Sequence, residues 1–121
     1  MSGTIELFVY GTLGPDGEAW DYLEPYVRAV AAVTVPGQLF DTGRGYPAAI
    51  FEAGTSVVHG WRCTLVDFPI TELDSYEGDE YTRGPVRCSD GVEAEAYHWT
   101  ASLAGCEPIP DGRFTGGPTG R

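Results

Sequence analysis

Ile5-Glu6-Leu7-Phe8-Val9-Tyr10-Gly11-Thr12-Leu13-Gly14 is the stretch from which the fold is read. Ile5, Leu7 and Val9 alternate with Glu6, Phe8 and Tyr10, so both faces are mostly apolar, the pattern of a strand buried on two sides. Gly11 through Gly17, with Pro15 inside it, breaks the strand into a loop. Glycine at the end of a buried strand lets the backbone approach a ligand closely and adopt positive φ. Successive N–H groups of Gly11, Thr12 and Leu13 can then converge on one anion. The same residues also read as a plain strand-to-loop turn.

Working outward, a short helix is expected over Glu18 to Leu23, stopped before Pro25. Val27 to Phe40 reads as extended, with a bend or bulge at Pro36-Gly37. Pro47 to Glu52 and Val57 to Val66 read as strands, separated by Gly54. A helix over Ile70 to Tyr76 follows, with Pro69 at its start, Asp67 as a candidate N-cap and Gly78 as the residue that ends it. Thr82 to Cys88 and Val92 to Thr100 form a hairpin through Ser89-Asp90-Gly91. Ile109 and Phe114 can still pack, and residues 116–121 read as a flexible tail after a single domain over 1–115. Mostly short strands with two short helices define an α+β fold: a small curled, largely antiparallel β-barrel with short flanking helices.

Composition bounds what such a domain does. In 121 residues, 18 acidic side chains face seven cationic ones, for a net charge of −11. Every cation is Arg. That charge argues against nucleic acid and anionic membrane as partners. The absence of Lys removes P-loop, Schiff-base and pyridoxal phosphate chemistry. His59 and His98 have no metal-ligand spacing, and Cys63, Cys88 and Cys106 form no C-x-x-C pair, so neither metal nor cofactor is expected. Cys63 and Cys88, inside strand-like runs, read as buried free thiols. No signal peptide or apolar run of membrane-spanning length is visible, which makes the cytoplasm the expected compartment.

A second segment, Leu73-Asp74-Ser75-Tyr76-Glu77-Gly78-Asp79-Glu80-Tyr81-Thr82-Arg83, carries the other candidate chemistry. Glu77 ends the expected helix, where the dipole disfavours negative charge, and Asp74 lies one turn earlier. Both effects push its pKa upward, as suits a general base if the site is also desolvated. A solvated acidic loop with Tyr76 and Tyr81 as core or rim aromatics is the alternative. Arg83 is expected to pair with a neighbouring carboxylate.

The two segments occur together with others in a fixed order: Val9-Tyr10-Gly11-Thr12-Leu13, Gly37-Gln38-Leu39-Phe40-Asp41, Tyr46-Pro47-Ala48, Val58-His59-Gly60-Trp61, Leu73 to Gly78 with Tyr81 and Arg83, Ala96-Tyr97, and Ile109-Pro110-Asp111-Gly112. This ordered set resembles the γ-glutamylcyclotransferase-like family, including γ-glutamylamine cyclotransferases and AIG2-like proteins, to about Phe114. The resemblance implies a cavity lined by the Tyr10 to Leu13 loop, with Glu77 as the catalytic acid/base. Tyr10, Gly11, Thr12, Leu13 and Tyr81 become candidate substrate-binding residues, and Tyr46 and Pro47 shape the loop beside the cavity. It also implies a small-molecule γ-glutamyl substrate that cyclises to 5-oxoproline and releases an amine without water or cofactor. Gly60-Trp61 departs from the Gly-Glu of many relatives, which is read as a change in packing or in the pocket wall. A metabolite-binding domain without turnover and a γ-glutamyl hydrolase or acyltransferase are the competing readings. The amine half of the substrate and the oligomeric state stay open.

Overall fold

The computed structural model describes residues 3–11, 13–15, 17 and 19–114. Thr12, Glu18 at the start of the expected first helix, and the expected tail at 116–121 lie outside the described residues. In chain order the elements are β1 (Thr4–Val9), α1 (Trp20–Leu23), a 3₁₀ turn (Glu24–Tyr26), β2 (Val27–Asp41), β3 (Pro47–Phe51), β4 (Val57–Val66), α2 (Ile70–Glu77), β5 (Tyr81–Arg87), β6 (Glu93–Trp99) and β7 (Glu107–Ile109).

The strands form one curled sheet in the order β3-β2-β4-β1-β6-β5, with β7 added to β2. Every pairing is antiparallel except β1 with β6. β2 is long enough to serve two partners: it pairs with β4 up to Pro36, then turns and pairs with β3 from Gly37 onward. That change of partner is the bend expected at Pro36-Gly37. The register shift in β2 falls elsewhere, between Val27 and Ala29. The sheet curls back on itself where Ser89, after β5, donates its N–H to the Thr34 carbonyl of β2 (2.8 Å) and Thr34 N–H donates to Ser89 Oγ (3.0 Å).

β1 is buried on both sides because it separates two apolar layers. Phe8 and Tyr10 face the barrel interior with Val33, Val35, Leu39, Ala49, Val58 and Ala96. Leu7 and Val9 face outward, under a layer formed with Leu23, Cys63, Leu65, Phe68, Leu73 and Tyr97. Alternation in one strand thus encodes both a barrel and the helices laid against it. Ile109 and Phe114 pack on the barrel interior cluster, and β7 is an element the Gly/Pro-rich sequence around it concealed. Cys63 and Cys88 are buried and unbridged, and burial pushes the Cys63 thiol up to about 12.

The helices differ from the sequence reading in more than one respect: a 3₁₀ turn over Glu24–Tyr26 carries the winding through Pro25, and α2 runs one residue further, to Glu77. Asp67 does not cap α2. It takes a left-handed φ of 57° and accepts a hydrogen bond from Gly3 N–H (3.1 Å), while Pro69 occupies the N-cap position with no side-chain cap. Proline at the helix entrance removes one of the donors a cap would serve, which leaves Asp67 available for tying down the N-terminal strand. At the other end the expectation holds: Gly78, at φ 85°, ends α2 directly after Glu77. No helix of the described residues is long and apolar enough to cross a membrane.

Candidate active site

A narrow cavity of about 50 Å³ opens where β1 ends, beside the C-terminal end of α2. Its described lining comes from four places: Phe8 to Gly11 and Leu13 from β1 and its loop, Tyr46 and Pro47 at the entrance to β3, Glu77 from α2, and Tyr81 and Tyr97 from β5 and β6. The structure therefore brings together Tyr10, Gly11, Leu13, Tyr81 and Glu77, which lie up to 71 positions apart in sequence (81 − 10). Two wider grooves exist, about 270 Å³ beside Trp61 and Phe114 and about 490 Å³ along the barrel seam. Neither has a carboxylate among its described lining residues. Size alone does not locate the chemistry.

The loop walls are held by close contact. A Cβ on Gly11 would lie 2.8 Å from Pro47 Cδ, so glycine is required there by the approach of Pro47. Positive φ is not the reason, since Gly11 is not among the residues that adopt it. Gly14 N–H closes the turn onto the Gly11 carbonyl (3.1 Å). Gly14 also lies against the Trp61 ring, which a Cβ would meet at 2.6 Å. Trp61 is thus packing for the loop and not a wall of the Glu77 cavity. Tyr46 and Pro47 are set by Thr42, whose Oγ1 donates to the Tyr46 carbonyl at 2.7 Å.

Glu77 is half-buried and, among the described residues, none donates a hydrogen bond to its carboxylate. Burial pushes its pKa up from 4.5 to about 7. The direction matches the sequence expectation, but the cause is desolvation. Asp74 does not act on Glu77 as free like charge, because Arg83 grips it with two hydrogen bonds (Nε–Oδ1 2.9 Å, Nη2–Oδ2 3.1 Å). Arg83 also reaches Glu95 at 3.1 Å. Held by Arg83 and by the Tyr97 hydroxyl, the Asp74 carboxyl sits below the usual range.

Four tyrosines wall the cavity, and each hydroxyl donates away from Glu77. Tyr10 donates to the Tyr97 carbonyl (2.5 Å), Tyr81 to the Pro47 carbonyl (2.5 Å), Tyr97 to Asp74 Oδ1 (2.6 Å) and Tyr46 to Glu80 Oε1 (3.0 Å). Burial, with the nearby Glu77 charge adding to it, raises the Tyr10, Tyr81 and Tyr97 phenols, so all three are protonated donors. At the rim Arg44 pairs with Glu80 (2.9 Å) and lies 5.1 Å from the centroid of the Tyr46 ring. Tyr76, by contrast, points to solvent and stacks on Tyr22.

Phe8, Val9 and Tyr97 also line the cavity without having been candidate site residues, and of these Tyr97 carries the polar group. Its signal lay in the period of β6: Ala94 and Ala96 face the barrel interior, which turns Tyr97 to the helix side with Leu7 and Leu73. No three His, Cys, Asp or Glu side chains cluster as metal ligands among the described residues.

Residues 7–116 match the family described as gamma-glutamyl cyclotransferase, AIG2-like, and the chain belongs to that family. Solved structures share the fold. YkqA from Bacillus subtilis superposes with a TM-score of 0.73 at 21% identity, over 95% of this chain and 40% of that one. The chain thus spans about two-fifths of the length of YkqA. PH0828 from Pyrococcus horikoshii gives 0.71 at 21% identity over 91% and 89% of the two chains. A protein of Arabidopsis thaliana solved in solution gives 0.63 at 26% identity over 84% and 73%. No curated protein sequence is a significant match.

Proposed function

We propose that the protein is a γ-glutamyl cyclotransferase, acting on a γ-glutamylamine or γ-glutamyl amino-acid-type substrate with Glu77 as general acid/base. The observation that carries this reading is the Glu77 carboxylate: desolvated, without a donor from the described residues, poised near neutrality at about 7, and facing a cavity walled by tyrosines. A base with a pKa near the working pH accepts and returns a proton with least loss in either direction.

The reaction forms one C–N bond and breaks another. The substrate α-amine attacks its own γ-carbonyl carbon and closes a five-membered ring. The nitrogen's proton passes to Glu77 and then to the leaving amine, whose bond to the carbonyl carbon breaks. The products are 5-oxoproline and the free amine, and proton count is unchanged. Because the substrate supplies the nucleophile, the protein needs no serine or cysteine elbow. Holding the glutamyl group folded is worth several kcal/mol, with ~7–11 as an upper range. Backbone N–H groups of the Gly11 to Leu13 loop are the donors we assign to the substrate carboxylate or the developing oxyanion. Tyr10, Leu13 and Tyr81 form the walls that shape the glutamyl half.

The test is a product assay over a panel of γ-glutamyl amines and γ-glutamyl amino acids, with mass-spectrometric detection of 5-oxoproline and Glu77→Gln alongside. Glu77-dependent 5-oxoproline is the expected result. Released glutamate in its place would identify a hydrolase, and binding without either product would identify a metabolite-binding domain.

A further inference from the structure

We infer that Asp74 is a positioning residue for Glu77: by accepting the Tyr97 hydroxyl, it keeps that donor away from Glu77 and so preserves Glu77 as a base. The inference rests on the reading of Glu77 as the acid/base group, and it goes beyond it by giving a task to a second carboxylate on the same helix.

The geometry is a partition of donors. Glu77 is faced by Tyr10 from the end of β1, Tyr46 from the loop before β3, Tyr81 from β5 and Tyr97 from β6. No Arg is among the described residues that line the cavity. The arginines that act on the wall tyrosines are already matched: Arg83 with Asp74 and Glu95, and Arg44 with Glu80. The Tyr10 and Tyr81 hydroxyls are spent on backbone carbonyls, Tyr97 O and Pro47 O, which no side-chain substitution removes. Tyr46 is spent on Glu80, at the rim. Tyr97 alone, of the three that feel the Glu77 charge, is held by a side chain, Asp74. Asp74 can do this because Arg83 keeps it ionised and fixed by two hydrogen bonds, and an ionised carboxylate is the stronger acceptor. Asp74 and Glu77 are three positions apart on α2, so both lie on the same side of the helix. Take Asp74 away and the Tyr97 hydroxyl has Glu77 as its remaining carboxylate neighbour. A hydroxyl donating to Glu77 stabilises its charged form and lowers its pKa. The residue would then be a weaker base.

The experiment reads Glu77 without substrate. Side-chain carboxyl ¹³C shifts are titrated by NMR in protein labelled at Glu, the Glu77 signal being the one lost in Glu77→Gln. Asp74→Ala, Tyr97→Phe and the double variant are compared with wild type. We expect a wild-type midpoint near 7, a fall of about one to two pH units in Asp74→Ala, the value of one hydrogen bond to a charged group, no shift in Tyr97→Phe, and a return to the wild-type midpoint in the double variant. An unchanged midpoint in Asp74→Ala overturns the inference. So does a fall that persists in the double variant, since the released Arg83 charge would then be the cause. Asp74→Leu makes the same comparison if the alanine variant does not fold. The titration is independent of turnover. The expected pattern in a protein that forms no 5-oxoproline would remove the proposed reaction and leave the inference standing. An unresponsive Glu77 in a protein that does form 5-oxoproline would do the reverse.

Discussion

Asp74, Glu77 and Glu80 lie within seven residues, yet they occupy two different regions. Asp74 and Glu80 sit on the outside of the cavity, each gripped by an Arg and a Tyr hydroxyl, and both carboxyls are held below their ordinary values. Glu77 sits between them, half-buried, with no such partner among the described residues and a pKa pushed up to about 7. The contrast teaches that partner supply, more than net charge, divides the carboxylates held charged from the one raised toward neutrality in so acidic a chain. Arg83 and Arg44 are placed so that they satisfy the flanking pair and leave the middle one bare.

The largest break in that contrast is Glu77→Gln. It keeps shape and removes the proton acceptor, so turnover should fall by about 10²- to 10⁴-fold in the 5-oxoproline assay. Stability should move the other way. A carboxyl whose folded pKa lies above its unfolded value binds more protons folded than unfolded between about 4.5 and 7. Wild-type stability therefore declines across that window as pH rises, by up to about 3 kcal/mol. Urea midpoints measured from pH 4.5 to 8 should show the decline in wild type and a flatter profile in Glu77→Gln. A parallel decline in both would mean that the burial of Glu77 is not what the titration reports.

Next in size is Gly11→Ala, which sharpens the interior side of the comparison. The new Cβ falls 2.8 Å from Pro47 Cδ, so the loop and the β3 entrance must part. Overpacking of this kind costs about 1–3 kcal/mol. The expected result is a lower urea midpoint together with a raised KM, because the displaced loop is the one we assign to the glutamyl half. A stability loss with unchanged kinetics would detach this loop from substrate.

How much of this was legible beforehand follows from the same two regions. The barrel was readable because β1, β4 and the β5–β6 hairpin carry period-2 patterns and turn residues that depend only on local sequence. Gly78 fixed the helix end beside Glu77, and the ordered motifs, through the family they resemble, made Glu77 a candidate. The cause of its elevated pKa was not readable, since the desolvation of Glu77 comes from β1, β3, β5 and β6 residues that the fold gathers around it. The Asp67 cap failed for a similar reason: its carboxylate is claimed by Gly3, far away in sequence. Tyr97 was visible within the motif set but not as a wall, and β7 was hidden, because a wall residue and a three-residue strand take their meaning from partners elsewhere in the sheet.

Arg83→Gln probes the outer region more gently. Arg83 is partly exposed, and a pair of this kind is worth about 1 kcal/mol or less. Asp74 has a lowered folded pKa, so its stabilising contribution is present above its unfolded value of about 3.9 and is lost as pH falls through the folded value. Arg83→Gln should therefore lower the urea midpoint at pH 7 and narrow its gap from wild type as the pH is taken down through that range.

The smallest effect belongs to Arg44→Ala at the rim. Arg44 and Glu80 are both solvent-exposed, so water and salt already screen their pairing. Losing it frees the Tyr46 hydroxyl's partner to move but leaves Thr42 holding the Tyr46 backbone. The expected outcome is an unchanged thermal midpoint and a KM change of about threefold or less that shrinks further as salt is added. A large, salt-independent loss of turnover would show that the rim belongs with the interior, and that the division between partnered and bare carboxylates has been drawn in the wrong place.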